Sequence, residues 1–382
     1  MLSKFPAIFD GENFERYYIK VKLIMEILHN GEKKKIKCLV WDLDNTLWDG
    51  VLLESDQITL RESALQVIKK LDERGILHSI ASRNSHELAM KKIKEFGLSD
   101  YFLYPQINWN PKSSSLRDIA KELNIGTNTL AFVDDQPFER EEVNFTLPEV
   151  LCLDGNDLDR IVDMPEMQPR FVTDDSKNRR FMYLSDIRRN TDENSFEGPK
   201  DEFLSTLGMV FTIRAAGKDD LQRAEELTVR TNQLNTTGYT YSHEELDHLR
   251  TSPQHRLLIA ELEDKYGSYG RIGLALVETG ETQWIIKLLL MSCRVMSRGV
   301  GSMMIRHIID EAIKKKVRLL AEMIPNDRNR MMYMTYKFSG FRECYKNSSL
   351  VIFEHDMKNT PGCPEYVKLI IDDHPEVDLL PR

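Results

Sequence analysis

Four separated places in this sequence carry side chains that can do phosphorus chemistry together. The first is Cys38-Leu39-Val40-Trp41-Asp42-Leu43-Asp44-Asn45-Thr46, an apolar run that stops on Asp-x-Asp-x-Thr. The second is Ser82, the third Lys112 and the fourth the pair Asp134-Asp135, each just past a further apolar run or turn. Paired carboxylates at the end of a buried strand can hold Mg²⁺ and leave one oxygen free to attack phosphorus. A carboxylate attacks a phosphate dianion only if the mutual repulsion is offset, which a divalent cation and a lysine do. A second acid two residues along is placed to protonate the leaving group. Taken alone, each group has a plainer reading. Ser82 could be a helix N-cap, Lys112 a surface lysine before a helix, and Asp135 a neighbour of the ligands rather than one of them.

Such residues need a scaffold that brings four strand ends to one edge. From Ile36 to about Pro165 strands predicted at 36–41, 76–81, 129–133 and 149–153 alternate with helices predicted at 61–74, 85–96, 114–123 and 137–145. That alternation implies parallel βαβ units. Gly75 and Gly97 stand where helix C-caps are expected. Only 39 residues separate Asp42 from Ser82, and 29 separate Ser82 from Lys112, so no cap domain fits in either gap. The open site should then accept a large substrate or lie under another domain, and the second half is the expected lid.

The rest of the chain divides further. Residues 1–35 form a lead-in with helical apolar spacing over Val21–Leu28. Residues 166–205 are a polar linker with a helix predicted at 176–189. Residues 206–357 form a second α/β unit, and 358–382 a tail. At 382 residues two domains are the natural prior. The net charge of -9 argues against general nucleic-acid binding. The five scattered cysteines, without Cys-x-x-Cys, fit reduced thiols in a cytoplasm. Met1–Asp10 lacks a signal pattern, and no apolar run is long enough to span a membrane.

In order and spacing, the Asp42–Thr46 segment, Ser82, Lys112 and Asp134-Asp135 resemble the four motifs of the haloacid dehalogenase (HAD) superfamily. The resemblance implies a capless, Rossmann-like parallel sheet. It makes Asp42 the nucleophile and Asp44 the general acid. Ser82, with neighbouring Arg83 and Asn84, would contact the phosphoryl group, and Lys112 would offset its charge. Mg²⁺ would be held by Asp42, Asp134, Asp135 and the backbone carbonyl of Asp44. Arg83 and Arg140 face substrate or solvent, and the sequence does not choose between these; Glu139 reads as a surface helix acid rather than an aid to the metal.

Met291–Gly301 resembles the pyrophosphate loop of GNAT-type acyltransferases, so a GNAT-like mixed α/β domain is expected after the first. Met296 stands where that family usually has Arg or Gln; a phosphopantetheine arm is the ligand that stays open. Cys293, beside Arg294 and Arg298 near a helix start, is a candidate nucleophile or a structural thiol. Asn232 and Asn235, in a polar cluster, are candidate substrate contacts or parts of a connecting loop.

The two halves together resemble the FkbH-like family, HAD subclass IIIC fused to a GNAT-like domain. The matches include Trp109-Asn110-Pro111-Lys112, Pro137–Arg140, Thr231-Asn232-Gln233 and Ser292-Cys293-Arg294. That resemblance implies dephosphorylation of 1,3-bisphosphoglycerate and loading of the glyceryl unit, as a thioester, onto an acyl carrier protein in polyketide-type biosynthesis. A dock for that carrier would use Arg179, Arg180, Arg188 and Arg189, unless they are solvated linker charges.

Overall fold

The computed structural model describes residues 36–372 apart from Asp56 and Asn232. The helix expected at Val21–Leu28 therefore lies outside the described residues.

Apolar runs buried on both sides make a parallel sheet. Its strands are β1 (Cys38–Trp41), β4 (Leu77–Ser82), β5 (Gln106–Ile107), β6 (Leu130–Asp134) and β7 (Leu151–Asp154), in the order β5-β4-β1-β6-β7. All neighbours pair in parallel. Leu39 and Trp41 enter the core on one face, and Cys38 and Val40 the core on the other. From β1 the chain winds outward through β4 to β5, then returns to place β6 on the other side of β1. The carboxyl ends of β1 and β6 thus form the crevice where such sheets bind ligands. Between β1 and the helix Glu62–Glu73 lies only a small excursion with the short strands β2 (Trp48–Asp49) and β3 (Thr59–Leu60), so the first half is capless.

The second sheet is mixed. It contains β8 (Met209–Ala215), β9 (His255–Asp264), β10 (Gly267–Thr279), β11 (Gln283–Met291), β12 (Arg318–Met323), β13 (Phe341–Lys346), β14 (Val351–His355) and β15 (Val367–Asp372). Their order is β13-β14-β12-β11-β10-β9-β8-β15. Here β15 pairs in parallel with β8, where the sequence suggested a loop or tail. One edge strand of six residues with two charges carries little periodicity of its own. Helix Met303–Lys315 packs Met303, Met304, Ile305, Ile308 and Ile309 into the core of this half.

The linker helix, Arg179–Ser195, lies between the halves and extends past its expected end. Arg179 donates to Gly75 O at 2.7 Å and pairs with Glu226. Gly75 has φ +72°, and a Cβ there would stand 2.4 Å from the Arg179 guanidinium, so this C-cap glycine also makes room for the contact. Arg180 holds Asp72, at 2.9 and 3.2 Å. Arg189 holds Asp264 at 2.6 and 2.9 Å and stacks on Tyr269. These three arginines are buried and fasten the halves, so they offer no docking surface; Arg188 alone of the four is exposed.

The contacts between the halves overturn the expected lid. Lys37 donates to Arg230 O at 3.1 Å, Tyr183 to Leu123 O at 3.3 Å, and Cys293 Sγ lies 3.9 Å from Asn124 O. Lys37, Gly75 and Asn124 precede β1, β4 and β6. The second half therefore packs against the amino-terminal edge of the parallel sheet, opposite Asp42. Buried apolar periodicity tells which residues lie inside a domain but not which edge of it a neighbour covers.

Candidate active site

Asp42 follows β1, its amide bonded to Val133 O at 2.9 Å, which continues the ladder one residue past the strand. Asp134 ends β6, and Asp135 follows. Side-chain oxygens of Asp42, Asp134 and Asp135 all lie within 4.8 Å of one another. Thr46 sets the third: its hydroxyl donates to Asp135 Oδ1 at 3.1 Å and accepts from Asp135 N at 3.0 Å. Gly155 closes the floor, since a Cβ there would meet Asp135 N and Thr46 Oγ1 at 3.0 Å. Arg61 ties the walls together, donating to Asn45 O at 3.1 Å and Gly155 O at 2.9 Å. Thr46 stands in the Asp-x-Asp-x-Thr segment, but its hold on Asp135 has no reading in the sequence alone, and Arg61 and Gly155 carry no local signal there.

Lys112 opens the helix Lys112–Glu122, a place where the helix dipole disfavours a cation. It stays there because it is buried against carboxylates. Its ammonium pairs with Asp42, donates to Ala81 O at 2.7 Å and lies 3.3 Å from Asp134 Oδ2. Burial pulls its pKa down, but Asp42 and Asp134 more than reverse that, leaving it above the ordinary lysine value. Asp134 is raised to about 7 by burial and then by the charge of Asp42, with Lys112 opposing. Asp135 is raised as well, chiefly by burial.

Asp44 is set apart. Its Oδ1 accepts from Trp48 Nε1 at 2.8 Å and Leu52 N at 3.1 Å, and its Oδ2 from Asn84 Nδ2 at 3.0 Å. Its carboxylate does not join the three-acid cluster. Burial raises its pKa above the ordinary aspartate value, the direction a general acid needs. Asn84, expected to contact phosphate, instead aims this acid. Ser82 is buried at the end of β4, beside the cluster. Arg83 is half-exposed and paired with buried Glu139 at 2.9 Å, and Arg140 is turned away onto Asp134 O and Asp154.

The residues fit a hard divalent cation. Three convergent carboxylates suit Mg²⁺, and buried Asp134 Oδ2 has the ion pair with Lys112 at 3.3 Å but no hydrogen bond. Because the Asp134 proton competes with the metal, Mg²⁺ affinity should fall about tenfold per pH unit below 7. In the metal-free protein the same raised pKa makes folding stability decline as pH climbs from the ordinary carboxyl range through 7, and Mg²⁺ restores it. Thermal unfolding with and without Mg²⁺ should therefore show a larger stabilisation at pH 8 than at pH 5.5. Equal stabilisation at both would contradict this arrangement.

A sequence model of the haloacid dehalogenase-like hydrolase family matches residues 49–139. Over that span the chain is similar to HAD-like hydrolases. The matched span begins just after Asp42 and Asp44 and includes Ser82, Lys112, Asp134 and Asp135. No curated protein matches the chain significantly. Among solved structures, the chain is similar to the N-terminal part of a Bacteroides fragilis protein containing a phosphatase domain, complexed with Mg. Identity there is 27% over 39% of this chain and 43% of that one, with a TM-score of 0.31. This chain thus spans less than half of that structure. It is also similar to the ribosomal-protein-S18-alanine N-acetyltransferase of Escherichia coli, at 16% identity over 38% of this chain and 92% of that one, TM-score 0.31. A HAD-superfamily hydrolase from Ehrlichia chaffeensis matches at 16% identity over 32% and 88%, TM-score 0.27. The architecture is a five-stranded parallel sheet, over which the HAD-like match falls, followed by a mixed α/β unit on an eight-stranded sheet.

The candidate residues of that second unit separate. Asn232 lies outside the described residues. Asn235 is fully buried, accepting from Thr237 N and Gly238 N and donating to Thr231 O at 3.3 Å, so it shapes its own loop and touches no open site. Arg298 is buried on Glu193 and Asn190. Arg294 donates to Tyr269 O at 2.9 Å and lines a cavity together with Cys293. Neither arginine pairs with the thiol. The parallel strands β11 and β12 pair only from Gln283–Ile286 to Arg318–Ala321 and then part. Leu234–Thr237 fills the opening: Thr236 N donates to Leu289 O and Ile324 N to Thr236 O, at 3.1 and 2.9 Å. An extended arm finds no free strand edge in that opening.

Among the described residues, no helix is long and apolar enough to cross a membrane.

Proposed function

We propose that this chain is a Mg²⁺-dependent phosphatase working through an aspartyl phosphate, joined to a half that transfers an acyl group. The observation that carries this reading is the meeting of Asp42, Asp134 and Asp135 around one point, with Lys112 against two of them. Asp42 Oδ attacks phosphorus, and the bond from phosphorus to the ester oxygen breaks. Asp44, whose proton affinity burial raises, gives its proton to the departing oxygen. It then takes a proton from water as that water attacks the phosphoaspartate, freeing inorganic phosphate and Asp42. Lys112 offsets charge on nucleophile and phosphate, and Asn84 and Trp48 keep Asp44 aimed. Asp42, Asp134 and Asp135 would hold Mg²⁺, which supplies charge neutralisation at the transferring group.

The resemblance to the FkbH-like family supports a finer reading. The substrate is 1,3-bisphosphoglycerate and the acceptor an acyl carrier protein. Only its acyl phosphate is activated enough to form a thioester without a further energy source. A thiolate, of Cys293 or of the carrier's pantetheine, attacks the acyl carbon; the carbon–oxygen bond to phosphate breaks and inorganic phosphate leaves. Asp42 removes the ester phosphate. Exposed Trp109 and Phe138, on segments following β5 and β6, flank the open mouth and suit a large, carrier-borne substrate.

A second reading is favoured by the filled opening between β11 and β12: the chain is a phosphatase whose other half only binds a partner. Intact-mass spectrometry of protein plus carrier, with bisphosphoglycerate and Mg²⁺, separates the two. A glyceryl mass gain on either protein supports transfer, and phosphate release without it supports the second reading. Cys293→Ser should lose loading if that thiol carries the acyl group. Loading at the wild-type rate would assign the step to the carrier's own thiol.

A further inference from the structure

Between the halves lies a cavity of about 430 Å³. Its wall from the first half is Lys37 and the segment Ala120–Thr129, and its wall from the second includes Arg230, Cys293, Arg294 and Arg328. Among the described residues, seven lysines and arginines line it and no carboxylate does. Behind the wall, Glu226 is shared by Arg179, Arg223 and Arg230, and Asp175 pairs with Arg223 at 2.8 Å. Burial and then Arg179 lower Arg230, and burial followed by Arg230 pulls Lys37 down to about 8. Like charges confined in a partly desolvated space repel, and a bound anion is the usual relief.

We propose that this cavity is a binding site for a small phosphorylated acid carrying at least two negative charges, seated against the Cys293 thiol. The volume suits a ligand of that size. The site is separate from the phosphatase centre. Lys37 and Asp42 sit at opposite ends of β1, five residues or about 17 Å apart along an extended chain. A three-carbon molecule held here does not reach Asp42, and no carboxylate is present to attack its phosphorus. The cavity thus binds phosphate without hydrolysing it. Its use in acyl transfer rests on the function proposed above, but the binding does not.

The test follows iodoacetamide labelling of each cysteine in the full-length protein by peptide mass spectrometry, without Mg²⁺. Inorganic pyrophosphate is the probe, against sodium chloride of matched ionic strength, because general screening acts on exposed charges alike. Pyrophosphate should slow Cys293 labelling severalfold and leave Cys344 and Cys363 unchanged. Lys121→Gln combined with Arg328→Gln removes two exposed charges, one from each half, and should weaken protection about tenfold. Arg230→Gln should remove it, with the exposed pair deciding if that variant does not fold. Equal labelling in pyrophosphate and chloride, or undiminished protection in the exposed double variant, overturns the proposal. Neither result bears on glyceryl transfer, which the intact-mass experiment reads separately.

Discussion

Asp42→Asn abolishes phosphate-ester hydrolysis, by at least about 10³-fold, because an amide oxygen cannot form the covalent intermediate. Fold loss does not explain the expected effect. The substituted side chain keeps nearly the same volume, the Asp42 amide stays bonded to Val133 O, and Lys112 retains Ala81 O and Asp134 as partners. The measurement is steady-state hydrolysis of a simple aryl phosphate with Mg²⁺, alongside a search by mass spectrometry for phosphate on the Asp42 peptide after an acid quench. Wild type should show the adduct and the variant should not. Undiminished turnover in the variant would remove Asp42 from the chemistry and the aspartyl-phosphate reading with it.

Lys112→Ala has the second large effect, and it reaches stability as well as activity. Removing the ammonium leaves the carboxylates of Asp42 and Asp134 buried, close together and without their cation. Breaking one side of such a buried arrangement costs about 3–5 kcal/mol of folding stability. Protonation of Asp134 softens the cost in acid, so the loss should be greater at pH 8 than at pH 6. Mg²⁺ neutralises the same oxygens and should recover part of the stability, but not the activity, because the lysine also offsets charge on the transferring group. Urea unfolding of both proteins at the two pH values, with and without Mg²⁺, checks the prediction. A variant as stable as wild type without Mg²⁺ would show that the pairing contributes nothing.

The meeting of Asp42, Asp134, Asp135 and Lys112 at one sheet edge was largely legible before any tertiary structure was known. Asp42 and Asp134-Asp135 each follow a short apolar strand, and Lys112 starts a helix after a proline. A parallel strand order with its reversal beside β1 carries those ends to one crevice. The second half was legible as secondary structure, apart from β13 and β15, but not as chemistry. Asn235 and Arg298 have the polarity of ligand-binding residues, yet they satisfy buried backbone and side-chain groups. Arg179, Arg180 and Arg189 read as surface charge because their partners, Glu226, Asp72 and Asp264, lie 47 to 108 positions away in sequence.

Sequence by itself therefore determined the strand-end chemistry, since a residue's place at the end of a buried strand follows from its immediate neighbours. Tertiary structure alone decided that the second half covers the sheet's other edge, which arginines are spent on fastening, and which remain around Cys293. The reason is physical: ion pairs and domain faces are chosen by groups far apart along the chain, and no local periodicity records them.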